Sequence, residues 1–261
     1  MNALFLPQWQ AYLRYLDLPG MEPACVYLAG LGLAATAAYP RTVASPGLAT
    51  RRSIMVDWFG CGYSDRPENF DYSIQGHAAT IAALLEHLDL KACTVIGHSM
   101  GGAVAIVLAS QWPDLVGRLV LAEANLDAGG GMLSRSIATQ SEADFVSRGR
   151  QQLLQQLRAD AINGDVAAAV VLGIAQLAAP FALYRTAVSL VQGMLPGWRE
   201  QLYQLPVPRA FLFGERSLPD GDADLLPAQG IRVAVVPRAA HGMMIENPEG
   251  FAGTLMSVIG E

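Results

Sequence analysis

The sequence predicts an α/β domain, a doubly wound and mostly parallel sheet with a helical cap insertion. Three observations carry the prediction. Short apolar runs rich in β-branched residues alternate with longer runs of helical period between residues 25 and 122, and again from residue 209 onward. Those short runs are continuous, as expected of strands covered on both faces. Between residues 128 and 205 the alternation stops and only helical runs occur.

In chain order, residues 14–20 read as a short strand closed by Pro19-Gly20. Residues 25–29, Cys-Val-Tyr-Leu-Ala, read as a buried strand that empties into the loop Gly30-Leu31-Gly32-Leu33. Residues 53–57 are the next strand, followed by a loop rich in turn formers through Pro67. Residues 73–88 read as an amphipathic helix, with Ile74, Ala78, Ile81, Leu84, Leu85 and Leu88 near the helical period. A β-branched run then leads into Gly97-His98-Ser99-Met100-Gly101 and an Ala-rich helix to about Trp112. Residues 117–122 form a strand ending at Glu123. The sheet resumes at 209–214 and 233–236, a loop at 237–242 carries His241, and a last helix covers 248–259. Residues 1–127 and 206–261 are thus assigned to the core and 128–205 to the cap. Gly129-Gly130-Gly131 makes a flexible entrance to the cap, and Leu205-Pro206-Val207-Pro208 a stiff exit.

At 261 residues the chain suits one large domain. An apolar fraction of 52% leaves material to line a pocket as well as fill a core. A net charge of −6 without a basic stripe argues against nucleic-acid binding. Cys25, Cys61 and Cys93 are odd in number and scattered, which suits reduced thiols and a cytoplasmic location. The four histidines form no cluster with cysteines or carboxylates, so no structural metal is expected. The first residues lack a secretory pattern. The apolar stretch 166–184 approaches membrane-spanning length. Interrupted by Gly173, Gln176 and Pro180, it reads instead as a buried helix pair bent near Pro180, with no membrane span. Homodimerisation stays open.

The pentapeptide at 97–101 has the form Gly-x-Ser-x-Gly between a strand and a helix. A serine on that sharp turn presents its hydroxyl above the sheet, and side chains at the flanking glycines would clash. The helix start behind Ser99 offers free N–H groups and a positive dipole end to an oxyanion.

Four stretches together resemble the α/β-hydrolase superfamily over nearly all of the chain outside the cap. Leu28-Ala29-Gly30-Leu31-Gly32 resembles the loop that supplies an oxyanion-hole amide. Asp57 through Pro67 resembles the Asp-x-x-Gly-x-Gly-x-Ser-Asp-x-Pro loop, and residues 97–101 the nucleophile elbow. Ala240-His241-Gly242 with Glu246-Asn247-Pro248-Glu249 resembles the catalytic-histidine loop and final helix. The resemblance implies a serine hydrolase with Ser99 as nucleophile, His241 as base, and the amides of Leu31 and Met100 as oxyanion donors. It implies no cofactor and no metal.

Two positions depart from the pattern. Ala29 stands where a histidine is usual, which a backbone donor tolerates. Ser217 stands in the usual acid position, within Gly214-Glu215-Arg216-Ser217. The histidine still needs a carboxylate to hold its tautomer. Glu123, at the end of the strand after the elbow helix, resembles the acid placement of haloalkane dehalogenase-like members. A charge directly after four apolar residues also calls for a partner. Asp220 is the alternative acid, followed by Asp222 and Asp127. His98 should point away from the nucleophile in a structural role. His77 and His87 are expected to pack or face solvent.

The expected reaction is acyl transfer to water from a small apolar ester-like substrate. Carbon–carbon bond hydrolysis, lactone opening, and a non-catalytic ligand receptor remain as alternatives. Leu172, Ile174, Leu177, Phe181, Leu183 and Tyr184 of the cap are candidates for lining an apolar pocket. Arg135, Arg148 and Arg150 are expected on solvated helix faces.

Overall fold

A computed structural model describes residues 1–260. Eight strands form one sheet: β1 (Asn2–Leu6), β2 (Ala11–Leu18), β3 (Met21–Leu28), β4 (Arg51–Val56), β5 (Cys93–His98), β6 (Val116–Ala122), β7 (Arg209–Gly214) and β8 (Arg232–Val236). Their order is β1-β2-β4-β3-β5-β6-β7-β8. β2 runs antiparallel to β1 and β4, and all other pairings are parallel. The expected doubly wound sheet is therefore present. β1 was not expected from the sequence, because its five residues are mostly exposed and carry little pattern.

The central strands are buried on both faces. Val26, Leu28, Val95, Leu119 and Leu121 face one core, and Tyr27, Ile96, Val120 and Leu212 the other. The chain moves outward in opposite directions from β3 and β5. The loop after β3 and the loop after β5 thus leave the sheet side by side at a topological switch point, where such sheets place ligands.

Helix α1 (Ile74–His87) is capped by Ser73, whose hydroxyl accepts from the Gly76 N–H at 2.8 Å. Helix α2 (Met100–Gln111) is apolar all round and buried from Met100 through Ala109, because it is packed between the sheet and other helices. Between β6 and β7 the described residues are helical, with α3 (Met132–Ala138), α4 (Arg150–Ile162), α5 (Val166–Ala175), α6 (Pro180–Gln192) and α7 (Trp198–Gln204). Helix α8 (Pro248–Ile259) closes the chain over the second core.

Helices α5 and α6 meet at 111°, bent as expected around Pro180. The expectation that both are buried does not hold. In α5 only Ala168 and Ile174 are buried, because the helix packs along one side only, against α4 and the segment 243–246. No single helix is long and apolar enough to cross a membrane. The inserted helices are tied to the sheet loops by polar links. Ala179 N–H donates to the Gly60 carbonyl at 2.7 Å, and Arg66 donates to the Leu177 carbonyl at 2.8 Å. Arg199 of α7 bridges Asp127 at 2.6 Å and Asp222 at 2.8 Å.

Candidate active site

Ser99 occupies the turn between β5 and α2 with φ 53° and ψ −121°, in the left-handed half of backbone space. Its neighbours make that conformation obligatory. Its N–H donates to the Ala122 carbonyl at 3.0 Å, and its carbonyl accepts from Gly102 at 2.9 Å and Asn125 at 3.2 Å. A Cβ at Gly97 would lie 2.5 Å from the Gly101 carbonyl oxygen, and one at Gly101 would collide with the Leu28 carbonyl. Both glycines are therefore required by close backbone approach.

The loop after β3 passes directly over this turn. A Cβ at Gly30 would lie 3.3 Å from the Ser99 Cβ and 3.0 Å from Nδ1 of His98. Leu31 follows on that loop, and Met100 opens α2, where the first N–H groups have no acceptor inside the helix. A buried carboxylate behind the loop fixes its course. Asp57 accepts from the Thr36 N–H at 3.0 Å, the Thr36 hydroxyl at 2.8 Å and the Tyr63 N–H at 3.1 Å. Burial pushes the Asp57 carboxyl up, and these hydrogen bonds oppose the rise. Trp58 donates to the Ala29 carbonyl at 3.2 Å, a second anchor.

His241 reaches the same edge of the sheet from the loop after β8. Its Nδ1 lies 2.8 Å from Oε2 of Glu123. The other carboxylate oxygen of Glu123 accepts from the Gly214 N–H at 2.8 Å. Burial raises the Glu123 carboxyl, but the hydrogen bonds from His241, Gly214 and Ser217 outweigh it, and the group titrates below its usual value. A carboxylate on Nδ1 places the ring proton there and leaves Nε2 as an acceptor. The Glu123 side chain is 13% exposed and that of His241 57%, so the acid is sheltered while the imidazole is accessible. Glu123 also has a positive φ of 40°, a strained conformation held by its N–H bond to the Leu212 carbonyl at 3.0 Å.

Two devices hold the His241 loop. Glu246 accepts from the Ala240 N–H at 2.8 Å and the Gly242 N–H at 3.0 Å, gripping both sides of the histidine. His98 reaches the His241 carbonyl at 2.8 Å through Nε2, and the two rings are 4.7 Å apart. A carbonyl only accepts, so His98 donates and is the Nε2–H tautomer. Burial, followed by the neighbouring His241, lowers its pKa to about 3 and keeps it neutral. His98 thus ties the residue beside Ser99 to the backbone of His241.

The other carboxylates take different partners. Asp220 is exposed and accepts from the Asp222 N–H at 2.8 Å, while Asp222 and Asp127 both pair with Arg199. Ser217 occupies the vacated acid position and hydrogen-bonds Glu123. The side-chain signal for Glu246 was present in the sequence, but its grip on the loop depends on a turn that sequence does not specify.

A narrow slot, too tight as it stands to admit a water molecule, lies beside the elbow, with Leu31 and Met100 among its walls and Trp58, Phe59 and Leu183 around them. Of the six cap residues expected to line a pocket, Leu183 alone lines this slot, and Phe181 borders a separate surface groove with Val146 and Arg185. Ile174 of α5 packs into the second core, and Phe181 of α6 meets Tyr72 edge to face, so neither reaches the slot. Arg148 pairs with Asp144, Arg150 donates to the Gln176 carbonyl, and Arg135 to the Gly130 carbonyl, all at the surface. His87 is exposed, and His77 is buried beside the cleft.

Comparison with known proteins places this arrangement. A 2-hydroxy-6-oxo-2,4-heptadienoate hydrolase of Pseudomonas putida is 35% identical over 102 residues, 39% of this chain and 37% of that protein. An sn-1-specific diacylglycerol lipase of Mus musculus is 35% identical over 122 residues, 47% of this chain and 39% of that protein. The chain thus spans well under half the length of the curated relatives it matches. The enol-lactonase structure from Burkholderia xenovorans LB400 superposes with a TM-score of 0.82, covering 100% of both chains at 19% identity, a likeness of fold. The profile of the family described as the alpha/beta hydrolase fold matches residues 31–204, more than half of the chain, with the elbow and Glu123 inside the match. The chain belongs to the α/β hydrolase fold family.

Proposed function

We propose that the protein is a serine hydrolase that cleaves a carboxylic ester or related acyl substrate through an acyl-enzyme. The observation that carries this reading is Nδ1 of His241 engaged by the Glu123 carboxylate, on the sheet edge that carries the Ser99 turn, with His98, next to Ser99 in the chain, bonded to the His241 carbonyl. In this reading Ser99 Oγ attacks the substrate carbonyl as His241 Nε2 takes its proton. The N–H groups of Leu31 and Met100 stabilise the oxyanion, and His241 returns the proton to the leaving group. Water, deprotonated by the same imidazole, then attacks the acyl-enzyme and releases the acid. Glu123 stabilises the imidazolium at both steps. No step calls for a metal or organic cofactor. A serine alkoxide forms acyl esters, so displacement at a saturated carbon, which uses a carboxylate nucleophile, does not suit this site.

The hydrolase and lipase names among the relatives support acyl chemistry of this kind, and the apolar walls of the cleft support an apolar acyl group. Carbon–carbon bond or lactone hydrolysis on the same residues is the second reading, favoured by the named heptadienoate hydrolase. The test is a fluorophosphonate probe together with a panel of p-nitrophenyl esters. Labelling that disappears in Ser99→Ala, with ester turnover, supports the first reading. Labelling without ester turnover moves the assignment to the second reading or to a ligand receptor. A chain that is not labelled at Ser99 is not a serine hydrolase.

A further inference from the structure

The cleft beside the elbow has two polar side chains that the proposed reaction does not use. His77 of α1 and Thr186 of α6 both line it, along with Leu31 and Met100. They come from different layers and meet at 3.2 Å between Nε2 and Oγ1. Both are buried, His77 to 1% exposure and Thr186 to 5%. The imidazole packs edge-on against Trp58 at 5.2 Å and Phe70 at 5.1 Å. Burial in this aromatic cage lowers its pKa to about 4, against a smaller opposing effect of Asp71, so the ring is neutral at neutral pH.

Nδ1 of His77 is buried without a partner. The Thr186 hydroxyl makes no other side-chain hydrogen bond among the described residues. The pair holds one imidazole N–H and one hydroxyl O–H. If Thr186 donates to Nε2, the ring proton sits on Nδ1 and meets no acceptor. If Nε2–H donates to Thr186, the hydroxyl hydrogen is unspent. In both arrangements one donor hydrogen is left over inside a largely apolar slot, where buried polar groups are normally paired. The other polar groups nearby are occupied or inert. Trp58 is bonded to the Ala29 carbonyl, and burial pushes the Cys61 thiol up to about 12. No lysine or arginine lines the cleft among the described residues.

We infer that His77 and Thr186 form a subsite, entered when the side chains around the closed slot part, for an uncharged acceptor oxygen, a ketone, ether or hydroxyl, carried by the acyl group at some remove from the reacting carbonyl. The identity of that ligand as an acyl group rests on the proposed hydrolase reading. A carboxylate does not suit the slot, which has no cation to offset its desolvation. A plain alkyl chain would bury the leftover hydrogen unpaired. Such a pair rewards the oxygenated substrate and penalises its hydrocarbon analogue, the asymmetry by which buried polar sites discriminate.

The experiment uses the Ser99→Ala protein, so that ligands bind without turnover. Calorimetry gives Kd for methyl hexanoate and for its isomeric oxo analogues with the ketone at the third, fourth or fifth carbon. The same set is measured after adding His77→Leu or Thr186→Val. The readout is the ratio of oxo to parent affinity, from which changes common to both ligands cancel. For at least one isomer that ratio falls about tenfold in each variant, the size expected when a buried acceptor loses its donor. Ratios that stay within about twofold for every isomer in both variants overturn the inference, as does failure of parent and isomers alike to bind. A second measurement leaves the pair intact. With ring-¹⁵N histidine, the favoured isomer shifts the His77 resonances and the parent does not, while equal shifts overturn the subsite. Fluorophosphonate labelling of the unmutated protein reads the hydrolase proposal separately, so loss of that reading leaves the affinity ratios interpretable.

Discussion

Glu123 and Gly214 are joined across neighbouring strand ends, with the Gly214 N–H donating to Oε1 of Glu123 at 2.8 Å. β6 and β7 pair in parallel, so both residues emerge on the edge that carries Ser99. The bond leaves Oε2 for His241. Glu123 thus stands one strand inward of Ser217, which hydrogen-bonds it.

Glu123→Gln keeps the shape but can present an amide N–H to Nδ1, favouring the wrong imidazole tautomer. We expect kcat to fall roughly 10³–10⁴-fold on an activated ester, the size seen when a triad carboxylate becomes an amide. Asp220→Asn, remote from the imidazole in hydrogen bonding, is expected to stay near the unmutated rate. Steady-state kinetics of the two variants decide between the acids.

The proposed role of Glu123 is also testable by supplying an acid from the neighbouring strand. Ser217→Asp alone sets a second carboxylate against Glu123 and is expected to lower kcat through like-charge repulsion. Combined with Glu123→Gln it supplies an acid from the outer strand. The double variant should turn over about tenfold faster than Glu123→Gln alone, a non-additivity read by a double-mutant cycle.

Gly214→Ala tests how the histidine loop is seated. A Cβ there would lie 2.5 Å from the Ala240 carbonyl oxygen and 2.6 Å from that of Ala239. The loop must retreat, moving His241 from Glu123. We expect a stability loss of about 1–3 kcal/mol by urea denaturation. A drop in kcat of about a hundredfold should accompany it, from misplaced catalytic geometry.

Two buried neutral histidines make the fold acid-sensitive. His77 and His98 are held down to about 4 and about 3, from 6.5 in the unfolded chain. Below pH ~6.5 the unfolded chain takes up protons that the folded one refuses. Stability is therefore full above that pH and falls as pH drops toward the folded values, by about 1.4 kcal/mol per pH unit for each histidine. Urea midpoints measured between pH 7 and 4 should show this slope, reduced in His98→Gln. The same residue tests positioning. His98→Leu loses the donor to the His241 carbonyl and should lower kcat about tenfold with little change in KM, whereas His98→Gln, which can still donate, recovers part of it.

The elements of the core were legible because each carries a local signal. The apolar runs at 93–98 and 209–214 read as strands covered on both faces, and the apolar period from Ile74 to Leu88 gave α1, though not Ser73 as its cap. The insertion was less legible. Its apolar run between 166 and 184 predicts helix and bend, but not which face meets the sheet. The expected lining therefore reduced to Leu183, while Thr186, a polar residue one turn on, was passed over. His77 stands three residues after Ile74 and four before Ile81, on the buried stripe of α1. That spacing was a signal of burial, though not of the partner it would meet.

By itself the sequence determined the order of strands and helices, the elbow around Ser99 and the loop bearing His241, since these depend on glycine spacing and hydrophobic period over a few residues. Tertiary structure alone brought Glu123, and not Asp220, to His241, set His98 under the histidine loop, and brought His77 to Thr186 across 109 positions of chain. Hydrogen bonds between residues so far apart depend on the register of neighbouring strands and the docking of a helix, and no local pattern encodes either.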